Sequence, residues 1–200
     1  MVKDIYNDKE KIKKEALEEN VPIMQDDTID FVTNYIAKKN VRKVLEIGTA
    51  VGYSSIMMAL SSPLVTVTTI EKDKDRYMKA VKNIKKMNLE SRINIIFNDA
   101  LEVDLTEKYD LIIIDAAKSK NKEFFEKFEN NLEINGSIIT DNLDFHGYVN
   151  KDLTEIPSRN IKSLVKKIRN YIEFLKNNPK YNTEFYNLGD GISVTERRID

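Results

Sequence analysis

The chain has 200 residues, and its 32 Lys and Arg nearly balance 33 Asp and Glu for a net charge of −1. That length suits one α/β domain with a sizeable core, and the charge balance gives no whole-protein field pointing to nucleic acid or membrane. Cysteine is absent, which removes disulfides, thiolate zinc sites and cysteine nucleophiles and fits a reducing compartment. A charged surface helix is predicted over residues 8–20. An amphipathic one follows over 27–39 through Ile29, Val32 and Ile36, with Val21-Pro22-Ile23-Met24 as an apolar connector. Strands rich in Val and Ile are then expected at 43–47, 65–70, 93–97, 111–114 and 137–140, as in a parallel sheet buried on both faces. Between them Tyr77, Ala80, Val81, Ile84 and Met87 recur at helical spacing, as do Phe124, Phe125, Phe128 and Leu132. Beyond Pro157 a long helix carries Ile161, Leu164, Val165, Ile168, Ile172 and Leu175 on one face. A β-hairpin of 183–188 and 192–195 around Gly189-Asp190-Gly191 closes the pattern. The apolar runs are too short to span a bilayer, and the first residues lack the apolar core of a signal peptide, so a soluble cytoplasmic protein of one domain is expected.

The turn after the first strand is the most informative segment. Glu46-Ile47-Gly48-Thr49-Ala50-Val51-Gly52 spaces its glycines as Glu-x-Gly-x-x-x-Gly, not as the Gly-x-Gly-x-x-Gly of dinucleotide-binding dehydrogenases. A carboxylate at that place would repel a diphosphate but tolerates a ligand with an amino group and a sulfonium, such as S-adenosylmethionine. The second strand ends in Glu71, roughly twenty residues on, where a carboxylate can bind both ribose hydroxyls. The third ends in Asn98-Asp99-Ala100, placed to meet the adenine. Taken singly, Glu71 also reads as a surface acid heading a charged helix, and Asp99 as a turn or helix cap.

The fourth strand runs into Asp115-Ala116-Ala117-Lys118 and the fifth into Asp141-Asn142. Two carboxylates meeting in a partly dry cleft repel each other unless a cation lies between them. With an amide oxygen, water and substrate oxygens they would suit octahedral Mg²⁺. The alternative is a salt bridge from one carboxylate to Lys118 and a loop cap from the other. Lys118, at the mouth of the same cleft, is a candidate proton acceptor, although it also belongs to a lysine run with Lys120 and Lys122.

These motifs resemble the class I metal-dependent O-methyltransferases of the catechol and caffeoyl-coenzyme A type, over nearly the whole chain. Leu45-Glu46-Ile47-Gly48-Thr49-Ala50, Thr69-Ile70-Glu71, Ile114-Asp115-Ala116-Ala117-Lys118 and Ile139-Thr140-Asp141-Asn142 carry the likeness, joined by Asn178-Pro179-Lys180-Tyr181 and Gly189-Asp190-Gly191. Within the group the chain looks most similar to bacterial tRNA 5-hydroxyuridine methyltransferases. The resemblance implies a Rossmann-like α/β fold: a mostly parallel seven-stranded sheet with helices on both faces, a C-terminal antiparallel hairpin, and residues 1–40 as a helical cap. It implies that Met24 (by its backbone), Glu46, Gly48, Ser54, Glu71, Asp99, Ala100 and Asp115 bind S-adenosylmethionine. Asp115, Asp141 and Asn142 would hold Mg²⁺ or another divalent cation, with Lys118 as the catalytic base, in a homodimer.

Two departures stand out: Asp26-Asp27 after Met24, where many relatives carry a glycine, and Asp144 in place of an apolar residue. The implied substrate is the 5-hydroxyl of 5-hydroxyuridine at the tRNA wobble position; the alternative is a small catechol-like or hydroxylated aromatic acceptor. Both offer two vicinal oxygens, so the site alone does not choose between them. Arg159, Lys162, Lys166, Lys167, Arg169 and Lys176 on the last helix, with Arg197 and Arg198, form a candidate phosphate patch or else an ordinary solvated face. No aromatic platform for stacking bases is evident, and His146, the only histidine, reads by default as a polar loop residue.

Overall fold

Short aliphatic runs become strands here because their side chains must be covered on both faces, and the charged stretches between them become helices with one buried stripe. The computed structural model describes residues 2–198, with side chains over 7–198. Packing divides the chain into two compact units, the first ending at Asp104 and the second beginning at Leu105.

The first unit runs α1 (Val2–Glu18), α2 (Asp26–Lys39), β1 (Lys43–Ile47), α3 (Tyr53–Ser61), β2 (Thr66–Glu71), α4 (Lys74–Lys86) and β3 (Ile93–Phe97). Its strands lie in the order β3-β2-β1, all parallel. Ile47 pairs with Ile70, and Glu71 with Phe97, so the chain leaves all three strands at one common end. α1 reaches further toward the N-terminus than the charge pattern suggests. It stops before Asn20, whose φ of 55° cannot continue a right-handed helix. It buries Ile12 and Ala16 and is tied down by Lys13 to Asp26 at 2.6 Å and by Asp8 to Lys86 at 2.8 Å. α2 buries Ile29, Val32 and Ile36, as its periodicity predicts, with Asp26 and Asp27 in the first turn and Lys38 and Lys39 in the last. Those signs complement the helix dipole.

The second unit runs β4 (Tyr109–Ile114), α5 (Asn121–Phe128), β5 (Leu132–Thr140), α6 (Arg159–Lys176), β6 (Tyr181–Tyr186) and β7 (Ile192–Arg197). Its order is β4-β5-β7-β6; β4 and β5 are parallel, and β7 is antiparallel to both its neighbours. Leu132, expected on the helical face with Phe124 and Phe128, instead opens β5 and is buried there. The helix is cut short by a 3-10 turn at Glu129–Asn131. There the Asn131 amide donates to the carbonyls of Leu105 and Glu107 at 2.8 and 2.9 Å, which turns the chain into the strand. β6 begins two residues before the predicted hairpin strand, because Tyr181 packs its ring edge-on against Phe125 at 5.3 Å. Phe125 also meets Tyr171 and Phe174, and the Tyr171 hydroxyl bonds the Thr140 hydroxyl at 2.8 Å, fastening α6 to the last residue of β5. All seven strands belong to one mixed sheet, mostly parallel with an antiparallel C-terminal hairpin, as the motifs imply. Among the described residues no helix is long and apolar enough to cross a membrane.

Candidate active site

The first unit brings Gly48, Glu71, Asp99 and Ala100 to the common end of β1, β2 and β3. The turn after β1 is held from below by N–H bonds of Gly48 and Thr49 to the Ile70 carbonyl at 3.1 and 3.2 Å. Gly52 caps α3 at φ 83°, and a Cβ there would sit 3.4 Å from that of Ala80, so α4 packs directly under the turn. Glu71 is buried. Its Oε2 accepts from Ala50 N–H and its Oε1 from Asp73 N–H, both at 2.8 Å, which leaves lone pairs on a fixed carboxylate for a diol. Asp99 caps the 3-10 turn Ala100–Glu102 through Leu101 N–H and pairs with Lys72 at 3.3 Å. Met24 is buried in the connector between α1 and α2.

Glu46 and Ser54, expected against the cofactor, have their side chains turned on each other. Glu46 is fully enclosed; its Oε1 accepts from Ser54 Oγ at 2.5 Å, and its Oε2 from Thr69 Oγ1 at 2.7 Å and from Ser55 Oγ. A buried carboxylate needs such donors. The arrangement makes Glu46 an internal brace between β1, β2 and the first turn of α3.

The second unit assembles the other group. Ile114 of β4 pairs with Thr140 of β5, so Asp115 and Asp141, the next residues on adjacent parallel strands, emerge side by side. Asp141 N–H donates to the Ile114 carbonyl at 3.1 Å. Burial raises the proton affinity of Asp115. Burial and then the Asp115 charge push Asp141 up to about 7, with Asp190 adding to the repulsion. Lys118, at the start of a 3-10 turn after β4, offsets part of that in both carboxyls. Asn142 follows at φ 61°, in the left-handed region. Among the described residues no three His, Cys, Asp or Glu side chains gather into a metal cluster; the set here is two carboxylates and one amide. Its donors are all hard oxygens, and the mutual repulsion of the two carboxylates is what a divalent cation between them relieves. The residues therefore fit Mg²⁺.

Asp190 belongs to the Gly189-Asp190-Gly191 turn, to which the sequence motifs assign no site role. It is 5% exposed, and its carboxylate accepts from His146 N–H at 2.5 Å and from Asn142 Nδ2 at 3.3 Å. Its glycine-flanked position is the only local sign of it in the sequence. The loop it grips also holds an aromatic cluster where none was expected: the Phe145 ring lies 5.5 Å from His146 and 6.1 Å from Tyr148. The candidate phosphate patch shrinks correspondingly. Arg169 donates from Nε to the Val149 carbonyl at 2.9 Å and from Nη2 to that of Lys151, Arg197 donates to the Glu129 carbonyl, and Arg198 to that of Tyr181. Arg159, Lys162 and Lys166 still share one face of α6, three and four residues apart, with Lys167 beside it.

Known proteins share this fold. A crystal structure described as a candidate caffeoyl-CoA O-methyltransferase from Staphylococcus aureus superposes with a TM-score of 0.90 at 38% identity, covering 95% of this chain and 92% of that one. An O-methyltransferase from Bacillus cereus in complex with SAH gives a TM-score of 0.82 at 25% identity over 96% of this chain and 91% of its own. A caffeoyl-CoA O-methyltransferase from Populus kitakamiensis is 27% identical over 175 residues, 84% of this chain and 74% of the relative. The O-methyltransferase family model matches residues 6–198, and the chain belongs to that family of methyltransferases.

Proposed function

We propose that this methyltransferase moves the methyl group of S-adenosylmethionine to a hydroxyl of an acceptor with two vicinal oxygens, with a divalent cation such as Mg²⁺ held by Asp115, Asp141 and Asn142. The observation that carries the proposal is the pair of carboxylates emerging together from β4 and β5, both made costly to ionise by burial and Asp141 further so by the Asp115 charge. Support for the donor comes from the relative solved with SAH and from the fixed Glu71 carboxylate beside the Gly48 turn. Lys118 takes the acceptor proton on Nζ. The freed oxygen forms its bond to the methyl carbon as the carbon–sulfur bond breaks, leaving S-adenosylhomocysteine. A divalent cation, if held by Asp115, Asp141 and Asn142, would supply positive charge that favours the ionised acceptor. Most of the acceleration comes from holding donor and acceptor in line.

Two acceptors match this bite. The names of the S. aureus and poplar relatives favour a catechol-like ring such as a caffeoyl group, and the Phe145 cluster in the loop that follows Asn142 suits any planar ring. The cationic face of α6, with the motif-level resemblance, favours 5-hydroxyuridine in tRNA, whose C5 hydroxyl and C4 carbonyl present a similar pair of oxygens. Labelled S-adenosylmethionine with Mg²⁺, incubated separately with bulk tRNA and with a catechol panel, separates them. A methylated catechol with inert tRNA supports the first; a methylated hydroxyuridine in nucleoside mass spectrometry supports the second. Transfer that survives EDTA removes the cation from the proposal.

A further inference from the structure

We propose that Asp190 is a positioning residue that fixes which end of the Asn142 amide is offered to the cation. This rests on the metal site proposed above and adds a residue outside its donor set. Asp190 sits in the turn between β6 and β7, buried, and this turn reaches the Asn142–Gly147 loop through four hydrogen bonds. Its two carboxylate oxygens accept from Asn142 Nδ2 and His146 N–H, its own carbonyl accepts from Asp144 N–H at 2.7 Å, and the next carbonyl, of Gly191, accepts from Leu143 N–H at 2.8 Å. The two backbones nearly touch: a Cβ on Gly191 would lie 2.8 Å from the Asp144 nitrogen.

That grip explains a backbone that would not persist unaided. Asn142, Phe145 and His146 all have φ between 48° and 61°. Non-glycine residues there are strained and persist only where their surroundings hold them. The side-chain logic is stricter. An amide has a donor end and an acceptor end, whereas an ionised carboxylate only accepts. Facing Asp190, Asn142 must present Nδ2, and its Oδ1 is then the end open to a cation. An asparagine at 190 cannot satisfy both partners, because its single oxygen serves either His146 N–H or Asn142. With both carboxylate oxygens engaged, Asp190 acts through Asn142.

The test is Mn²⁺ affinity of the full chain, read from the electron paramagnetic resonance of free Mn²⁺, with S-adenosylmethionine affinity by calorimetry as a control on folding. Asp190→Asn should weaken Mn²⁺ binding about 10–100-fold, as removing a partner behind a metal ligand does, and leave cofactor affinity within about twofold. The swap Asn142→Asp with Asp190→Asn restores a donor facing an acceptor and keeps His146 N–H satisfied, so it should bind Mn²⁺ more tightly than either single variant. This swap carries the test even if Asp190→Asn alone folds poorly. Mn²⁺ affinity unchanged in Asp190→Asn overturns the proposal. So does a swap that binds no better than Asp190→Asn, or less tightly than Asn142→Asp alone, which would mark a pure charge effect. A wild-type chain that binds no Mn²⁺ at all defeats the metal site itself, a different and recognisable failure.

Discussion

A carboxyl that shares dry surroundings with a second carboxyl keeps its proton longer, and Asp141 does so up to about pH 7. In the unfolded chain the same group ionises near 3.9. Between those values the folded protein holds a proton that the unfolded chain has released, so stability falls as pH rises from about 4 to about 7. Urea unfolding in EDTA should show this slope, and Asp141→Asn should flatten it and gain about 1–3 kcal/mol at pH 8. Mg²⁺ added to the wild type at that pH should recover a similar amount, as any ligand of the folded state does. Asp141→Ala should meanwhile abolish transfer and leave S-adenosylmethionine binding largely intact; equal loss of both would make Asp141 structural. The pair was legible in the sequence because an aliphatic run ending in an acid marks a strand tip. Asp190 was not, since its partner Asn142 lies 48 residues away and nothing local encodes a hydrogen bond across a strand order.

Elements whose boundaries follow from one-dimensional pattern, such as β1, β3 and α6, fall where the sequence places them. Those set by tertiary contacts do not. The start of β5 depends on the Asn131 amide, and Glu46 takes a bracing role because Thr69 and Ser55 converge on it from other elements. Glu46→Ala leaves three hydroxyls without their acceptor and opens a cavity behind the glycine turn. We expect a destabilisation of about 2–4 kcal/mol in urea unfolding, together with weaker S-adenosylmethionine binding as the Gly48–Gly52 turn slackens. At the other unit, α6 holds residues 149–151 by the guanidinium of Arg169. Arg169→Ala should cost about 1–2 kcal/mol and raise acceptor KM more than it lowers kcat, because it frees the segment that follows the aromatic cluster without touching Lys118. Limited proteolysis of that segment, faster in the variant, checks the cause.

Over the whole molecule, a net charge of −1 conceals local asymmetry, and the acceptor question turns on that asymmetry. Family and fold are legible because strand-end motifs are spaced along the entire chain. The acceptor is not, because a catechol and a 5-hydroxypyrimidine ask the same thing of the reacting centre. Discrimination must then come from surfaces that touch only the larger substrate. Arg169, Arg197 and Arg198 are committed to backbone carbonyls, so any phosphate-binding role would fall to Arg159, Lys162, Lys166 and Lys167 on α6. Replacing Lys162, Lys166 and Lys167 together by Ala should leave methylation of a small catechol within about twofold, since no change reaches the carboxylate pair. If tRNA is the acceptor, the same variant should raise its KM strongly. It should also reduce the slope of log affinity against log salt by up to about 0.9 for each phosphate that is no longer neutralised. A tRNA reaction whose salt slope is identical in the variant would show that this face is a solvated helix surface and that nucleic acid, if bound, is gripped elsewhere.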